Sequence, residues 1–166
     1  MIEQNILVTA YTDSGIFTGI LSVPGEARLS DYINISEQFI HLKGRVVTKA
    51  VENTDNSDEI YINKNAIKLL TTATNDDARG MSAKRKTYPY VKKQPVRVKI
   101  YMTNYEISGT LYSFDQGDIH QILQQPRQFL ACTDVTILDT RNNISVSADF
   151  IAINWNNISA LLKLEP

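Results

Sequence analysis

A mostly β fold, built as two tandem five-stranded barrels with one short helix each and an approximate internal twofold, is what this sequence predicts. The first reason is a repeated octapeptide. Ile60-Tyr-Ile-Asn-Lys-Asn-Ala-Ile67 and Ile151-Ala-Ile-Asn-Trp-Asn-Asn-Ile158 both read Ile-x-Ile-Asn-x-Asn-x-Ile. The second is that upstream residues fall into step at an offset of about ninety: Tyr11 with Tyr101, Gly19 with Gly109, Leu21 with Leu111, Gln38-Phe39 with Gln128-Phe129. The third is periodicity, an alternation of two that gives way once in each half to a spacing of three to four. One extra residue between Phe129 and Ile151 accounts for the single shift in offset; a surface turn is the expected place for it.

Each half opens with a strand. Val96, Val98 and Ile100 alternate with Arg97, Lys99 and Tyr101, and Ile6, Val8 and Ala10 alternate with Leu7, Thr9 and Tyr11. Turns at Asp13-Ser14-Gly15 and Asn104-Tyr105 return the chain as a second strand marked by Phe17, Gly19, Leu21 and Val23, or by Ile107, Gly109 and Leu111. Glycine inside a strand costs stability unless the strand bends there or another backbone comes close. The change of period, Leu29-Tyr32-Ile33 and Ile119-Ile122-Leu123, predicts a short helix lying as a lid on one end of the sheet. Ser30 or Asp31, and Asp118, are its candidate caps, and Pro126 stops the second copy.

A longer β segment follows, Phe39 to about Val51 and Phe129 to about Asp139. Polar hairpins around Asn53–Asp58 and Arg141–Asn143 lead to the fourth strand, which ends in Ile-x-Ile. Asn-x-Asn makes a tight corner, and the last strand runs Ile67–Leu70 or Ile158–Leu162. The organisation read from this is a first repeat over 1–72, a basic linker over 73–94 and a second repeat over 95–166.

Composition bounds the function. A hydrophobic share of 43%, a charged share of 21% and a net charge of -1 are those of a soluble globular protein with no global field towards nucleic acid or lipid. The chain lacks a basic start followed by an apolar run and any apolar stretch long enough to span a bilayer, so the expectation is a cytoplasmic protein without membrane association. The lone cysteine, Cys132, has no internal disulfide partner.

The order of strands and two motifs give the chain a resemblance to the Sm-like small barrels. Gly109-Thr-Leu-Tyr-Ser-Phe-Asp115 is similar to the Gly-x-Leu-x-x-Phe-Asp opening of the first Sm motif, and Ile153-Asn-Trp-Asn-Asn-Ile158 to the Ile-Arg-Gly-Asn-x-Ile of the second. The resemblance implies a small SH3-like barrel. It does not extend to the RNA site: the uracil-contacting Met-Asn of Sm proteins is replaced by Asp118-Ile119, and the Arg-Gly by Asn63-Lys64 and Asn154-Trp155. Arg28-Leu-Ser-Asp-Tyr-Ile-Asn34 is also similar to a motif of uncharacterised bacterial β domains, a likeness that implies no activity.

Candidate chemistry is sparse. Asp13-Ser14-Gly15 is similar to an aspartic-protease loop, a chemistry that needs two carboxylates sharing a proton, but the equivalent positions are Thr103, Asn104 and Tyr105. His41 and His120 do not fall at equivalent positions, and Cys132 aligns with Leu42, which favours a buried thiol over a nucleophile. No catalytic set, metal site or cofactor is therefore expected. The binding candidates are two. In the linker, Lys84, Arg85, Lys86, Lys92 and Lys93 surround Tyr88 and Tyr90, a pattern that can hold phosphates and stack on bases or can simply be a solvated connector. At the corners the candidates are Asn63, Lys64, Asn154 and Trp155; for Asn63, Asn65, Asn154 and Asn156 the favoured role is the turn itself, and Trp155 either packs between the halves or offers a contact surface. The leading expectation is a non-catalytic scaffold or protein-interaction module that meets a protein partner or its own copies. The alternative is an RNA- or single-strand-binding module using the basic linker.

Overall fold

A computed structural model describes residues 2–48, 51–52, 58–72, 92–114 and 117–165. The first half holds β1 (Glu3–Thr12), β2 (Ile16–Pro24), helix α1 (Leu29–Ile33), β3 (Phe39–Thr48), β4 (Val51–Glu52), β5 (Asp58–Asn63) and β6 (Ile67–Thr72). The second holds β7 (Gln94–Met102), β8 (Tyr105–Ser113), helix α2 (Ile119–Leu123), β9 (Phe129–Asp139), β10 (Ile144–Asn154) and β11 (Ile158–Lys163). A 3-10 turn at Lys64–Ala66 precedes β6, and another at Trp155–Asn157 precedes β11.

All strands belong to one antiparallel sheet, in the order β11-β7-β8-β9-β10-β6-β1-β2-β3-β4, with β5 also on β3. Within each half the sequence of neighbours is the same: last strand, first, second, third, fourth. The join between halves is β6 against β10, Leu69–Thr72 beside Ile153–Phe150. This corrects the expectation of two closed barrels. Since β6 lies between β1 and β10, and β10 between β9 and β6, neither half folds back on its own edge, and the sheet stays open. The expected twofold is corrected as well. A twofold would pair β5 with β11 as reciprocal partners, yet the described neighbour of β5 is β3 and that of β11 is β7. The halves stand head to tail.

The alternation predicted for the strands is what buries the core. Ile6, Val8 and Ala10 of β1, and Val96, Val98 and Ile100 of β7, all turn inward. The two apolar clusters interlock: Phe129, Phe150 and Ala152 of the second half sit in the cluster of the first, and Leu69 of the first half sits in that of the second. The strand glycine answers to close approach. A Cβ on Gly19 would stand 2.7 Å from the Lys43 carbonyl oxygen, and one on Gly109 would collide with Cys132 Sγ.

The extra residue lies inside a strand and not in a turn. Ile20 pairs with Lys43 as Thr110 does with Thr133, but Thr18 pairs with Arg45 while Ser108 pairs with Thr136, so β9 has gained one residue between 133 and 136. Asp134, at φ 52, absorbs it as a β-bulge.

Both helices are single turns. Ser30 and Asp31 lie inside α1, whose first position is preceded by Arg28 without a side-chain cap, whereas Asp118 accepts from the His120 amide as expected. No helix among the described residues is long and apolar enough to cross a membrane.

Candidate interaction surface

The corner asparagines work through their side chains. Asn63 Oδ1 accepts from the Asn65 amide at 3.0 Å, and Asn154 Oδ1 from the Asn156 amide at 3.1 Å. Both hold φ near the extended range, -66° and -68°, so the corner needs no left-handed residue, contrary to the usual use of asparagine at turns. The corners are anchored alike: the Lys64 amide donates to the Gln38 carbonyl and the Trp155 amide to the Gln128 carbonyl, each at 2.9 Å.

Beyond the turn, the two corners have different surroundings. Asn154 is buried at the join, and its Nδ2 donates to the Ile67 carbonyl at 2.9 Å and the Lys64 carbonyl at 3.4 Å, across from one half to the other. Asn63 is half-buried at the end of β5, whose one strand neighbour among the described residues is β3. Lys64 is buried, its ammonium donates to the Ile35 carbonyl at 2.5 Å, and desolvation holds its pKa below the usual lysine range against an opposing pull from Glu37. Trp155 is half-buried against the second apolar cluster. Sequence reasoning paired the four corner residues; the structure makes Asn154 a bond between halves and Lys64 and Trp155 packing groups.

Two further residues that sequence reasoning missed complete the join. Asn34, at the end of α1, accepts from the Phe129 amide at 2.8 Å and donates to the Phe129 carbonyl at 3.1 Å. Gln128 Nε2 donates to Asn65 Oδ1 at 2.8 Å. The repeated Gln-Phe and Asn-x-Asn were visible as a signal, but nothing in sequence said that they face each other.

Of the basic candidates, Lys84, Arg85, Lys86, Tyr88 and Tyr90 lie outside the described residues. Lys92 is exposed, and Lys93 is half-buried with its ammonium 4.7 Å from the Phe114 ring centre. Desolvation, with help from Arg28 and Arg127, lowers the Lys93 pKa against the opposing charge of Asp31. The structure thus places Lys93 on an aromatic face near like charges.

Asp13 pairs with the buried Lys68 at 2.7 Å, and Thr12 Oγ1 accepts from the amides of Ser14 and Gly15 to close a hairpin turn. Burial pushes the Cys132 thiol up to about 12. His41 stacks on Tyr61 with ring centres 4.6 Å apart, 4.0 Å from Glu59. Among the described residues no group of three or more His, Cys, Asp or Glu could hold a metal ion.

Large apolar side chains left in water occur across the sheet, among them Leu7 of β1, Ile20 of β2, Tyr112 of β8 and Ile144 and Val146 of β10, and also at its two ends. Phe39 and Tyr61 stand at the β3–β5 end, Leu123 and Leu162 at the α2–β11 end. Comparison of the chain with known protein families, with characterised proteins and with solved structures gives no match.

Proposed function

We propose that the protein is a non-catalytic interaction module whose working parts are the two open edges of its sheet, and that its halves are duplicated Sm-like small barrels opened and spliced into one sheet. The observation that carries the reading is that β5 and β11 each have one strand neighbour among the described residues and bear exposed apolar side chains, Tyr61 on one and Leu162 on the other. An unpaired edge offers a row of amides and carbonyls to any extended chain, and apolar side chains beside it add burial to those bonds. Charge on a long edge strand normally discourages such pairing; here the edges combine charge with apolar groups.

A doubly blocked variant, Tyr61→Glu with Leu162→Glu, tests this. Partners that co-purify with the wild-type chain, foreign or its own copies, are expected to be lost from the variant while its circular dichroism is unchanged. Retention of a partner by the blocked protein would overturn the reading. So would micromolar binding of a fluorescent oligonucleotide that weakens steeply with salt, the behaviour of a phosphate-binding surface.

A further inference from the structure

The join between the halves is a worked example of how the two free edges can meet. We infer that copies of this chain associate head to tail, the β5 edge of one pairing with the β11 edge of the next in the register by which β10 pairs with β6. The inference rests on the edge-presenting reading above and names its partner.

The β6–β10 join sets Phe150 opposite Thr72, Ile151 opposite Thr71, Ala152 opposite Leu70 and Ile153 opposite Leu69. Aligning the octapeptides carries this to Glu59 opposite Lys163, Ile60 opposite Leu162, Tyr61 opposite Leu161 and Ile62 opposite Ala160. An acid then faces a base, and apolar residues face apolar residues, where the internal join has neutral pairs.

Burial follows the same map. Phe129 is 1% exposed inside the join, and its counterpart Phe39 is 49% exposed; Ile33 is 0% exposed, and its counterpart Leu123 is 41% exposed. Five of the six residues of β6 are buried, whereas none of β11 is. What the join covers in one place stands uncovered in the other.

The polar locks are duplicated too. Asn154, which donates across the join, has its identical counterpart in Asn63, so Asn63 Nδ2 meets the Trp155 and Ile158 carbonyls of the next copy. Gln128 and Asn65, bonded across the join, correspond to Gln38 and Asn156, one at each free end. Asn34, which holds the Phe129 backbone, corresponds to Gln124, a longer amide, as Phe129 corresponds to Phe39. A join of this kind is heterologous: it closes into a ring if the rotation per copy allows, and otherwise continues as a filament.

Sizing by light scattering between about 1 and 100 µM, the range in which modest interfaces populate, gives the test. Wild-type protein is expected to grow in mass with concentration. Tyr61→Glu and Leu162→Glu, each alone, are expected to leave monomers, and mixing the two yields a one-to-one pair and nothing larger, because each variant keeps one sound edge. Charge reversal supplies a second measurement: Glu59→Lys or Lys163→Glu weakens association by about twofold to fivefold, and the double reversal restores it. A wild-type chain that is monomeric throughout the range overturns the inference, as does a mixture that never pairs although both variants retain native circular dichroism. Failure here is distinguishable from failure of the broader reading, since a monomer that loses a foreign partner on edge blocking still presents its edges.

Discussion

Cys132 and Gly109 share one small space, and they show how strictly this sheet is packed. The thiol is fully buried, desolvation raises its pKa to about 12, and its sulfur occupies the volume a side chain on residue 109 would need. Gly109→Ala is therefore expected to destabilise the fold by about 1–3 kcal/mol, the usual cost of overpacking. Adding Cys132→Ala is expected to return part of that loss, because it removes the colliding sulfur. Denaturant unfolding of the two single variants and the double variant measures the coupling; strict additivity would show that the two sites do not share the space. At this scale the sequence was partly legible. Glycine in a strand and cysteine at an apolar position were both readable as packing features, but their mutual contact was not, since the alignment paired Gly109 with Gly19 and said nothing of Cys132 lying against it on the neighbouring strand β9.

At the scale of elements, the join between β6 and β10 assigns different energies to residues of identical type. Phe129 is buried between the halves, whereas Phe39, on β3 beside β5, is half exposed. Phe129→Ala is expected to cost about 3–5 kcal/mol, the range for deleting a buried aromatic ring. Phe39→Ala in dilute, monomeric protein is expected to stay within about 0.5 kcal/mol of wild type. Thermal or urea unfolding of both variants decides the matter, and equal losses would mean that the half-to-half packing is wrong. Most elements were legible because each carries its signal locally. The β9 bounds Phe129–Asp139 follow from alternation, and the Asp118 cap and the corners follow from side chains that bond their own backbone. The α1 cap was misread because Ser30 and Asp31 lie after the helix start, and the inserted residue was misplaced because a bulge within a strand leaves no turn chemistry to read.

For the whole molecule, the interlocked apolar clusters predict that the halves unfold as one. Phe129, Phe150 and Ala152 stabilise the first cluster, and Leu69 the second, so opening either half exposes apolar surface of the other. Calorimetry is expected to give a single transition with equal calorimetric and van't Hoff enthalpies. Two resolved transitions would show that the halves fold independently. The expectation that each half closes into its own barrel was the natural one from a duplicated sequence, and it failed for a physical reason: backbone amides at a strand edge carry no record of which chain segment will satisfy them.

The described strand positions, the hairpins at Asp13–Gly15, Asn104–Tyr105 and Arg141–Asn143, the corner caps and the duplicated pattern were settled by the chain alone, because side-chain alternation and self-bonding asparagines act within a few residues. The choice of edge partner was not. Only the folded chain decided that β6 takes β10, that Asn154 is a bond between halves while Asn63 ends β5, and that β5 and β11 each have one strand neighbour among the described residues. Such pairings depend on which surfaces remain uncovered once everything local has formed.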